Sequence, residues 1–272
     1  MPEPTLLQAT VLGAIQGLTE FLPVSSSAHL SLAPWAFGWP PAGLAFDLAL
    51  HVGTLLTLAW YFRAEWRALA LGGITLARHR RVVDDASRRA AFIVLATIPA
   101  GVAGVLLEDY AETVFRAPRV TAVALIVMGL ALWVVDARAT RVRERGSMTW
   151  RDAWLVGCAQ MLALVPGVSR SGATITAGRA LGFDRSAAAV FSFLMSMPII
   201  LAAVVLKVPD VLRAGGLSLP LLVGIVTAAL SSWVAIAVLL RLVSRRGYAA
   251  FAVYRVALGL AIFWLLGARG AW

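Results

Sequence analysis

Long apolar stretches separated by short polar loops run through almost the whole chain of 272 residues. A bilayer core about 30 Å thick takes roughly 20 apolar residues per helix, so each long stretch predicts a membrane span. Uninterrupted stretches predict six full transmembrane helices at about 44–62, 90–108, 119–136, 186–206, 217–240 and 249–267. The pattern therefore predicts an all-α polytopic membrane protein.

Arginine is concentrated in three loops, and this bias orients the predicted helices. The loop 63–89 holds seven arginines, the loop 137–151 holds five and the loop 241–248 holds three. The loop 108–118 instead carries three acidic residues. The positive-inside rule places the basic loops in the cytoplasm and the acidic loop, with both termini, outside. The net charge of +10 therefore reflects topology, and we expect contact with membrane lipids and none with nucleic acid.

Two further apolar regions, about 5–36 and 152–182, are each broken near the middle by proline and serine. The neighbouring loops require each region to return to the side it entered, so both are predicted to be re-entrant helical hairpins. Each half of the chain is then a hairpin plus three spans, repeat one at about 1–136 and repeat two at about 152–272. An odd number of spans inverts the second copy. This predicts one integral membrane domain, residues 1–272, built from inverted-topology repeats with a site near the midplane.

A polar motif occurs in both hairpins and marks the candidate site. Both copies read Gly-x-x-Gln, then apolar residues, then proline, then serines, and they start at Gly13 and at Gly157. Polar groups at membrane depth are costly, and irregular backbone there must be satisfied by protein or by a polar cavity. A duplicated polar break therefore indicates a functional site between the two repeats.

The first hairpin combines a carboxylate, an amide, hydroxyls and an imidazole. Gln16 and Glu20 are four residues apart and share one helical face, and Pro23 ends or bends that helix. The returning limb contains Ser25, Ser26, Ser27 and His29. Glu20 in a dry site has to be neutral, paired or bound to a cation. A structural alternative is a serine-rich turn that caps a half-helix, with Glu20 held by an arginine.

The second hairpin offers glycines, hydroxyls and one arginine, which suit an oxyanion. Its break contains Gly167, Ser169, Arg170, Ser171, Gly172 and Thr174. Glycines let backbone N–H groups turn towards a ligand, and a helix beginning here directs its positive dipole end at the bilayer centre. The guanidinium of Arg170 is a fork suited to phosphate. We therefore predict a phosphate site. A structural ion pair of Arg170 with Glu20 is the alternative, and the two are compatible in the resting state.

Three other polar residues lie in the predicted spans. Asp47 either joins the site or pairs with an arginine. His51 follows one turn later and is interpreted as a packing residue. Arg255 is interpreted as snorkelling towards the cytoplasm. The segment 67–77 is apolar enough for an amphipathic helix on the inner surface.

The chain lacks the sequence patterns of several other classes of site. It has no Walker-type phosphate loop and no dinucleotide fingerprint, and neither hairpin has a Gly-x-Ser-x-Gly elbow. Its three histidines are far apart, which argues against zinc held by His and Cys. A carboxylate beside a phosphate instead favours a hard divalent cation, Mg²⁺ or Ca²⁺.

Two long segments carry a family resemblance. The first runs from Gln16 to His29 and reads QGLTEFLPVSSSAH, and the second runs from Pro166 to Thr174 and reads PGVSRSGAT. Their sequences, order and spacing resemble the bacterial undecaprenyl-diphosphate phosphatases, also called bacitracin-resistance proteins. The resemblance implies hydrolysis of undecaprenyl diphosphate to undecaprenyl phosphate and inorganic phosphate, which recycles the lipid carrier of cell-wall synthesis and confers bacitracin resistance.

The resemblance also implies a divalent cation, the bacterial inner membrane and a site open to the periplasmic side, while a homodimer stays open. Glu20 matches the essential carboxylate, and Arg170 matches the phosphate-binding arginine. Ser26 and His29 match the residues proposed for attack or proton transfer. The surrounding substrate-binding residues are Ser25, Ser27, Gly167, Ser169, Ser171, Gly172 and Thr174. The resemblance implies that Glu20 holds the cation, alone or with Gln16. Gln16 stands where the family has Glu or Gln, so cation affinity is either weaker or relies more on Glu20.

The predicted reaction is metal-assisted phosphoryl transfer, in which Arg170 and second-hairpin amides bind the diphosphate. The attacking group is Ser26 activated by His29, His29 itself, or water deprotonated by His29. The competing class is a carrier of polyprenyl phosphate or another organic anion, because inverted repeats with broken helices are typical of alternating-access carriers. Glu20 beside His29 favours an enzyme, and a non-catalytic scaffold would not explain two polar hairpins.

Overall fold

The computed structural model describes residues 3–107, 110, 115, 117–139, 142–213 and 216–268. Within these ranges the chain forms eleven α-helices, which confirms the predicted all-α class. They are α1 (Leu6–Phe21), α2 (Ser26–Phe37), α3 (Leu44–Tyr61), α4 (Arg63–His79), α5 (Asp85–Leu106), α6 (Pro118–Arg138), α7 (Trp150–Met161), α8 (Arg170–Ala180), α9 (Arg185–Arg213), α10 (Leu219–Val243) and α11 (Ala249–Ala268).

Five of the described helices, α5, α6, α9, α10 and α11, are long and apolar enough to cross a membrane. A sixth candidate is α3 together with α4, which follows it at a bend of 86°. The chain is therefore an integral membrane protein with five or six spanning helices in its described part. Helix α4 also confirms that the segment 67–77 is helical.

Helix ends depend on local capping as well as on hydrophobicity. Helix α5 begins at Asp85, before the predicted position 90, because the Ser87 N–H donates to the Asp84 carboxylate at 2.7 Å. This hydrogen bond also holds the pKa of Asp84 below its usual value. Helix α9 continues to Arg213, past the predicted position 206. Most of the acidic loop 108–118 and the chain ends lie outside the described residues, so their outer location stays a prediction.

The helices of the two halves pack by exchanging partners. Helix α1 packs against α10 and α7 packs against α5, while α3 contacts α9 and α6 contacts α11. Gly13 on α1 and Gly157 on α7 lie at the first two contacts, where an added Cβ would collide with the backbone of Gly224 or Ala96. Small residues allow helices this close an approach. Each broken segment is therefore buried against a long helix from the other half of the chain.

A buried ion cluster fixes the C-terminal end of α8. Asp136 accepts hydrogen bonds from Arg179 Nε at 2.8 Å, from Arg185 Nε at 2.9 Å and from the Tyr248 N–H at 3.1 Å. Buried charges are tolerated when they are paired in this way. The cluster ties α8 to α6, α9 and the start of α11, and so sets the direction in which the first residue of α8 points.

Candidate active site

The two helix breaks meet inside the protein. In each break the serine just before a helix has a positive φ, +76° at Ser25 and +68° at Ser169. Such a backbone costs about 1–3 kcal/mol for a residue other than glycine, so surrounding contacts must hold it. The Gly167 N–H donates to Ser25 Oγ at 3.1 Å, and Ser171 Oγ donates to the Leu22 carbonyl at 3.0 Å. These two hydrogen bonds join the first break to the second.

Arg255 on α11 supports both breaks, which corrects the prediction that it snorkels towards the cytoplasm. It is 0% exposed. Its guanidinium donates to the carbonyls of Pro23 at 3.1 Å, Gly167 at 2.8 Å and Val168 at 2.8 Å. Broken backbone leaves carbonyls without helical partners, and these must be satisfied within the protein. The guanidinium stays buried because it satisfies several such carbonyls at once.

Glu20, at the C-terminal end of α1, is the centre of the polar site. Its Oε1 accepts a hydrogen bond from Arg170 Nη2 at 2.7 Å. Its Oε2 accepts from Ser26 Oγ at 2.6 Å and from Gln16 Nε2 at 3.0 Å. The carboxylate therefore connects α1, α2 and α8, and the structure brings three other predicted site residues together around it.

Arg170 is the first residue of α8 and forms a largely buried ion pair with Glu20. The exposed fraction of the Arg170 side chain is 15% and that of Glu20 is 6%. Arg170 Nη1 donates to the Ser196 carbonyl at 3.3 Å, and its Nε has no hydrogen-bond partner among the described residues. The guanidinium thus joins the two repeats and keeps donor capacity for a ligand.

His51 on α3 lies beside Glu20, which corrects its interpretation as a packing residue. Its Nε2 is 3.6 Å from Glu20 Oε2, and its side chain lines the same cavity as Glu20 and Arg170. Its Nδ1 is 2.8 Å from the Asp47 carbonyl. Since a carbonyl only accepts, Nδ1 carries a proton. The remaining nitrogen therefore faces the site.

His29 on α2 has different neighbours from Ser26. Its Nδ1 donates to the Ser25 carbonyl at 2.7 Å, and its Nε2 is 2.6 Å from the Tyr254 hydroxyl. In the neutral ring Nε2 accepts that hydroxyl proton. Ser26 instead donates to Glu20. Ser26 and His29 therefore do not form the predicted hydrogen bond with each other, because each side chain is bonded to another partner.

Several residues predicted to bind substrate instead stabilise the second break. The Gly167 N–H is used by Ser25, and the Gly172 N–H donates to Ser169 Oγ at 3.1 Å. Thr174 Oγ1 lies 2.6 Å from Ser192 Oγ. The expectation that the amides of Gly167 and Gly172 face a phosphate is therefore corrected, because buried N–H groups need partners and both have them within the protein.

A cavity of about 230 Å³ extends from this polar site. The polar residues that line it are Glu20, Ser25, Ser26, Ser27, His51, Gln160, Ser169 and Arg170. The remainder is apolar and consists of Leu48, Ala100, Ala163, Leu164, Ile199, Ile200 and Ala203. The cavity thus combines charged and polar groups with an aliphatic lining from α3, α5, α9 and the short segment 162–164 that follows α7.

The residues fit a cation only in combination with a phosphate ligand. Among the described residues, no group of three or more His, Cys, Asp or Glu side chains could hold a metal ion by itself. Glu20 supplies one carboxylate, and Gln16 Oε1 is buried without a described hydrogen-bond partner. One carboxylate plus substrate phosphates is a usual ligand set for Mg²⁺. The donor set is therefore compatible with a cation whose coordination the substrate completes.

Comparison with known proteins identifies the family. The family described as "Bacitracin resistance protein BacA" matches residues 9–261. The chain belongs to this family. The BacA match spans both helix breaks and Arg255, and it confirms the resemblance that the two signatures indicated.

Individual relatives share both the sequence and the length of this chain. "Undecaprenyl-diphosphatase" of Gemmatimonas aurantiaca is 58% identical over 265 residues, covering 97% of this chain and 99% of that protein. The protein of the same name from Pelotomaculum thermopropionicum is 48% identical and covers 97% and 98%. That of Geobacter metallireducens is 47% identical and covers 94% and 96%. The similarity to the BacA relatives therefore extends over essentially the whole chain.

Sequence reasoning missed the positions of Arg255, His51 and Gln160 at the site, although each had a signal. An ionisable residue within a membrane span is a functional candidate by default, and Arg255 is a lone arginine in an apolar helix. Gln160 belongs to the duplicated Gly-x-x-Gln motif. His51 had the weakest signal, because only the packing of α3 against α1 directs it to Glu20.

Proposed function

We propose that this chain hydrolyses undecaprenyl diphosphate to undecaprenyl phosphate and inorganic phosphate. It would thereby recycle the lipid carrier of cell-wall synthesis and confer resistance to bacitracin. The observation that carries the proposal is the Glu20–Arg170 pair, which is joined across the two helix breaks at 2.7 Å in the polar part of an otherwise apolar cavity. The names of the relatives, which are undecaprenyl-diphosphatases over the full length of the match, support the same activity.

The two surfaces of the cavity match the two parts of this substrate. The charged region offers the Arg170 guanidinium and serine hydroxyls, which are donors to phosphate oxygens. The aliphatic wall of Ala100, Ile199 and Ala203 suits a prenyl chain, which would continue from the cavity into the bilayer. A water-soluble diphosphate would make no use of that wall.

The membrane arrangement proposed here has six full spans and two re-entrant hairpins, α1–α2 and α7–α8, in inverted repeats. The exchanged packing supports it, since α1 with α10 and α7 with α5 are equivalent pairs if the halves are related by a two-fold axis. The arginine-rich loops support their cytoplasmic placement. The inner membrane and a cavity open to the periplasmic side are proposed from the family resemblance. A homodimer remains a prediction.

Ser26 is the proposed nucleophile, with Glu20 as its proton acceptor. The hydroxyl already donates to the carboxylate at 2.6 Å, which is within the range required of a general base. Ser26 Oγ attacks the terminal phosphorus, the bond from that phosphorus to the bridging oxygen breaks, and undecaprenyl phosphate leaves. Water then hydrolyses the phosphoserine to release inorganic phosphate, and Ser26 regains its proton. His29 would orient the break through the Ser25 carbonyl, and direct attack by water or His29 remains the alternative.

A divalent cation, Mg²⁺ or Ca²⁺, is proposed as the cofactor. Glu20 and the free Oε1 of Gln16 would hold it with the substrate, and it would supply positive charge to the diphosphate oxygens. Arg170 supplies a second positive charge from the opposite hairpin. Together they would offset the charge that develops on the leaving phosphate.

Phosphate release by the purified protein in detergent tests the function, because no membrane gradient is present to drive a carrier. We expect turnover of undecaprenyl diphosphate, loss of turnover in Ser26→Ala, and a labelled Ser26 when terminally labelled substrate is quenched rapidly. The matched control is Ser31→Ala, since Ser31 is exposed on the same helix and should leave turnover unchanged. Absence of phosphate release by the wild-type protein, with transport of the lipid in vesicles, would establish the carrier instead.

A further inference from the structure

Gln160, at the C-terminal end of α7, is a buried amide without a described partner. It is 3% exposed, and neither Oε1 nor Nε2 has a hydrogen-bond partner among the described residues. Leaving a buried polar group unsatisfied is destabilising, and both ends of one side chain are rarely left so. The residue lines the same cavity as Glu20 and Arg170. An unsatisfied amide at this position is therefore available to a ligand in the cavity.

The corresponding glutamine of the first hairpin, Gln16, has the hydrogen-bond partner that Gln160 lacks. Gln16 occupies the same place in the Gly-x-x-Gln motif, and its Nε2 donates to Glu20, four residues later, at 3.0 Å. Four residues after Gln160 the chain has Leu164, which accepts no hydrogen bond through its side chain. The second repeat thus keeps the glutamine but lacks the carboxylate that would satisfy it.

We infer that Gln160 is a further substrate-binding residue, whose Nε2 donates to an oxygen of the substrate diphosphate. This inference rests on the proposed function. An ionised diphosphate presents only acceptors, and the positive Arg170 is shared with Glu20, so another donor is needed on the wall formed by α7. An amide N–H meets that need and brings no charge of its own into the membrane.

Two substitutions separate this role from packing and from cation binding. Gln160→Leu keeps the volume and removes both polar atoms. If Gln160 only packs, replacing an unsatisfied amide by an apolar group should raise the melting temperature and leave the kinetics unchanged. If Gln160 binds phosphate, the melting temperature should stay the same or rise while KM for undecaprenyl diphosphate increases about tenfold, as expected for loss of a hydrogen bond to a charged group. Gln160→Glu replaces the donor by a carboxylate that repels the diphosphate.

The experiment measures KM, kcat and the melting temperature of each variant in detergent, with inhibition by inorganic pyrophosphate as a probe that has no prenyl chain. We expect KM and the pyrophosphate inhibition constant to rise by similar factors in Gln160→Leu, with a greater loss in Gln160→Glu. Ser232→Ala is the matched control, because Ser232 is 0% exposed and its hydroxyl also lacks a described partner. Ser232 is not part of the cavity wall, and its removal should leave KM unchanged.

The possible outcomes are distinct. An unchanged KM and inhibition constant in Gln160→Leu would overturn the inference and leave the hydrolase intact. An active Gln160→Glu that needs less cation would overturn it in favour of a cation ligand. If Gln160→Leu fails to fold, the unbranched Gln160→Met supplies the same comparison. A wild-type protein that releases no phosphate would instead refute the proposed function, before any variant is considered.

Discussion

Replacing Glu20 by glutamine should affect catalysis and anion binding in opposite directions. The carboxylate accepts a proton from Ser26 in the proposed reaction, so Glu20→Gln should abolish phosphate release at every cation concentration. The same carboxylate also neutralises Arg170 through the 2.7 Å ion pair. When its charge is removed, Arg170 becomes free to bind an anion, and the affinity for inorganic pyrophosphate measured in excess chelator should increase.

The size of this increase follows from the geometry. A phosphate held on the far side of the Arg170 guanidinium lies about 7 Å from the Glu20 carboxylate, and at an effective dielectric constant of about 20 the repulsion is about 2 kcal/mol per unit charge. That energy corresponds to about a 30-fold change in dissociation constant. Water and salt near the cavity mouth screen part of it, so we expect pyrophosphate to bind about tenfold more tightly.

Phosphate release measures the loss of catalysis, and thermal unfolding in detergent measures the change in anion binding together with the change in stability. Breaking a buried pair from one side destabilises a protein, so Glu20→Gln should melt below the wild type without ligand. Pyrophosphate should then raise its melting temperature more than it raises that of the wild type. Asp85→Asn is the control, because Asp85 forms an exposed ion pair with Arg88 away from the cavity. Weaker pyrophosphate binding by Glu20→Gln in chelator would refute the assignment of Arg170 as an anion clamp restrained by Glu20. Undiminished turnover would refute Glu20 as the proton acceptor for Ser26.

Three further predictions concern neighbouring groups. Arg170→Lys keeps the charge but loses the bidentate fork, so kcat/KM for phosphate release should fall at least about tenfold; wild-type turnover would contradict the clamp. Arg255→Met removes the donors to Pro23, Gly167 and Val168 and should destabilise the protein by about 3 kcal/mol or more, measured by thermal unfolding; an unchanged melting temperature would show that the breaks hold themselves. Excess chelator should stop phosphate release and added Mg²⁺ or Ca²⁺ should restore it. The variant Gln16→Glu, which places a second carboxylate beside Glu20, should keep its activity and need a lower cation concentration. Wild-type activity that is the same with and without chelator would exclude a cofactor role.

The length of the apolar stretches determined the helices because, in a membrane, each span must be apolar and must satisfy its own backbone. Those two requirements act locally, so the predicted spans lie close to α3, α5, α6, α10 and α11. The ends were less predictable, because capping groups such as Asp84 and the continuation of α9 to Arg213 depend on a few residues. The arginine bias oriented the loops by the same kind of local reasoning.

Residue types and their spacing also located the chemistry. The sequence predicted the duplicated break. It also predicted that burying Glu20 and Arg170 costs free energy, since a charge in an apolar environment needs a partner. Their pairing at 2.7 Å joins residues that are 150 positions apart. From the sequence, this ion pair was an alternative to phosphate binding by Arg170. In the folded structure the ion pair is formed, and it is the resting state of the site.

The contacts between helices were decided only by the tertiary structure. A sequence pattern states which face of a helix is polar, but the partner of a side chain depends on which helix packs against that face. Packing thus placed His51 beside Glu20, turned His29 towards Tyr254 and buried Arg255 behind both breaks. It also gave Gln16 a carboxylate partner and left Gln160 facing the cavity without one, although both glutamines occupy the same place in the repeated motif. Local sequence therefore determined the helices and the candidate groups, whereas long-range packing determined which of those groups act on one another.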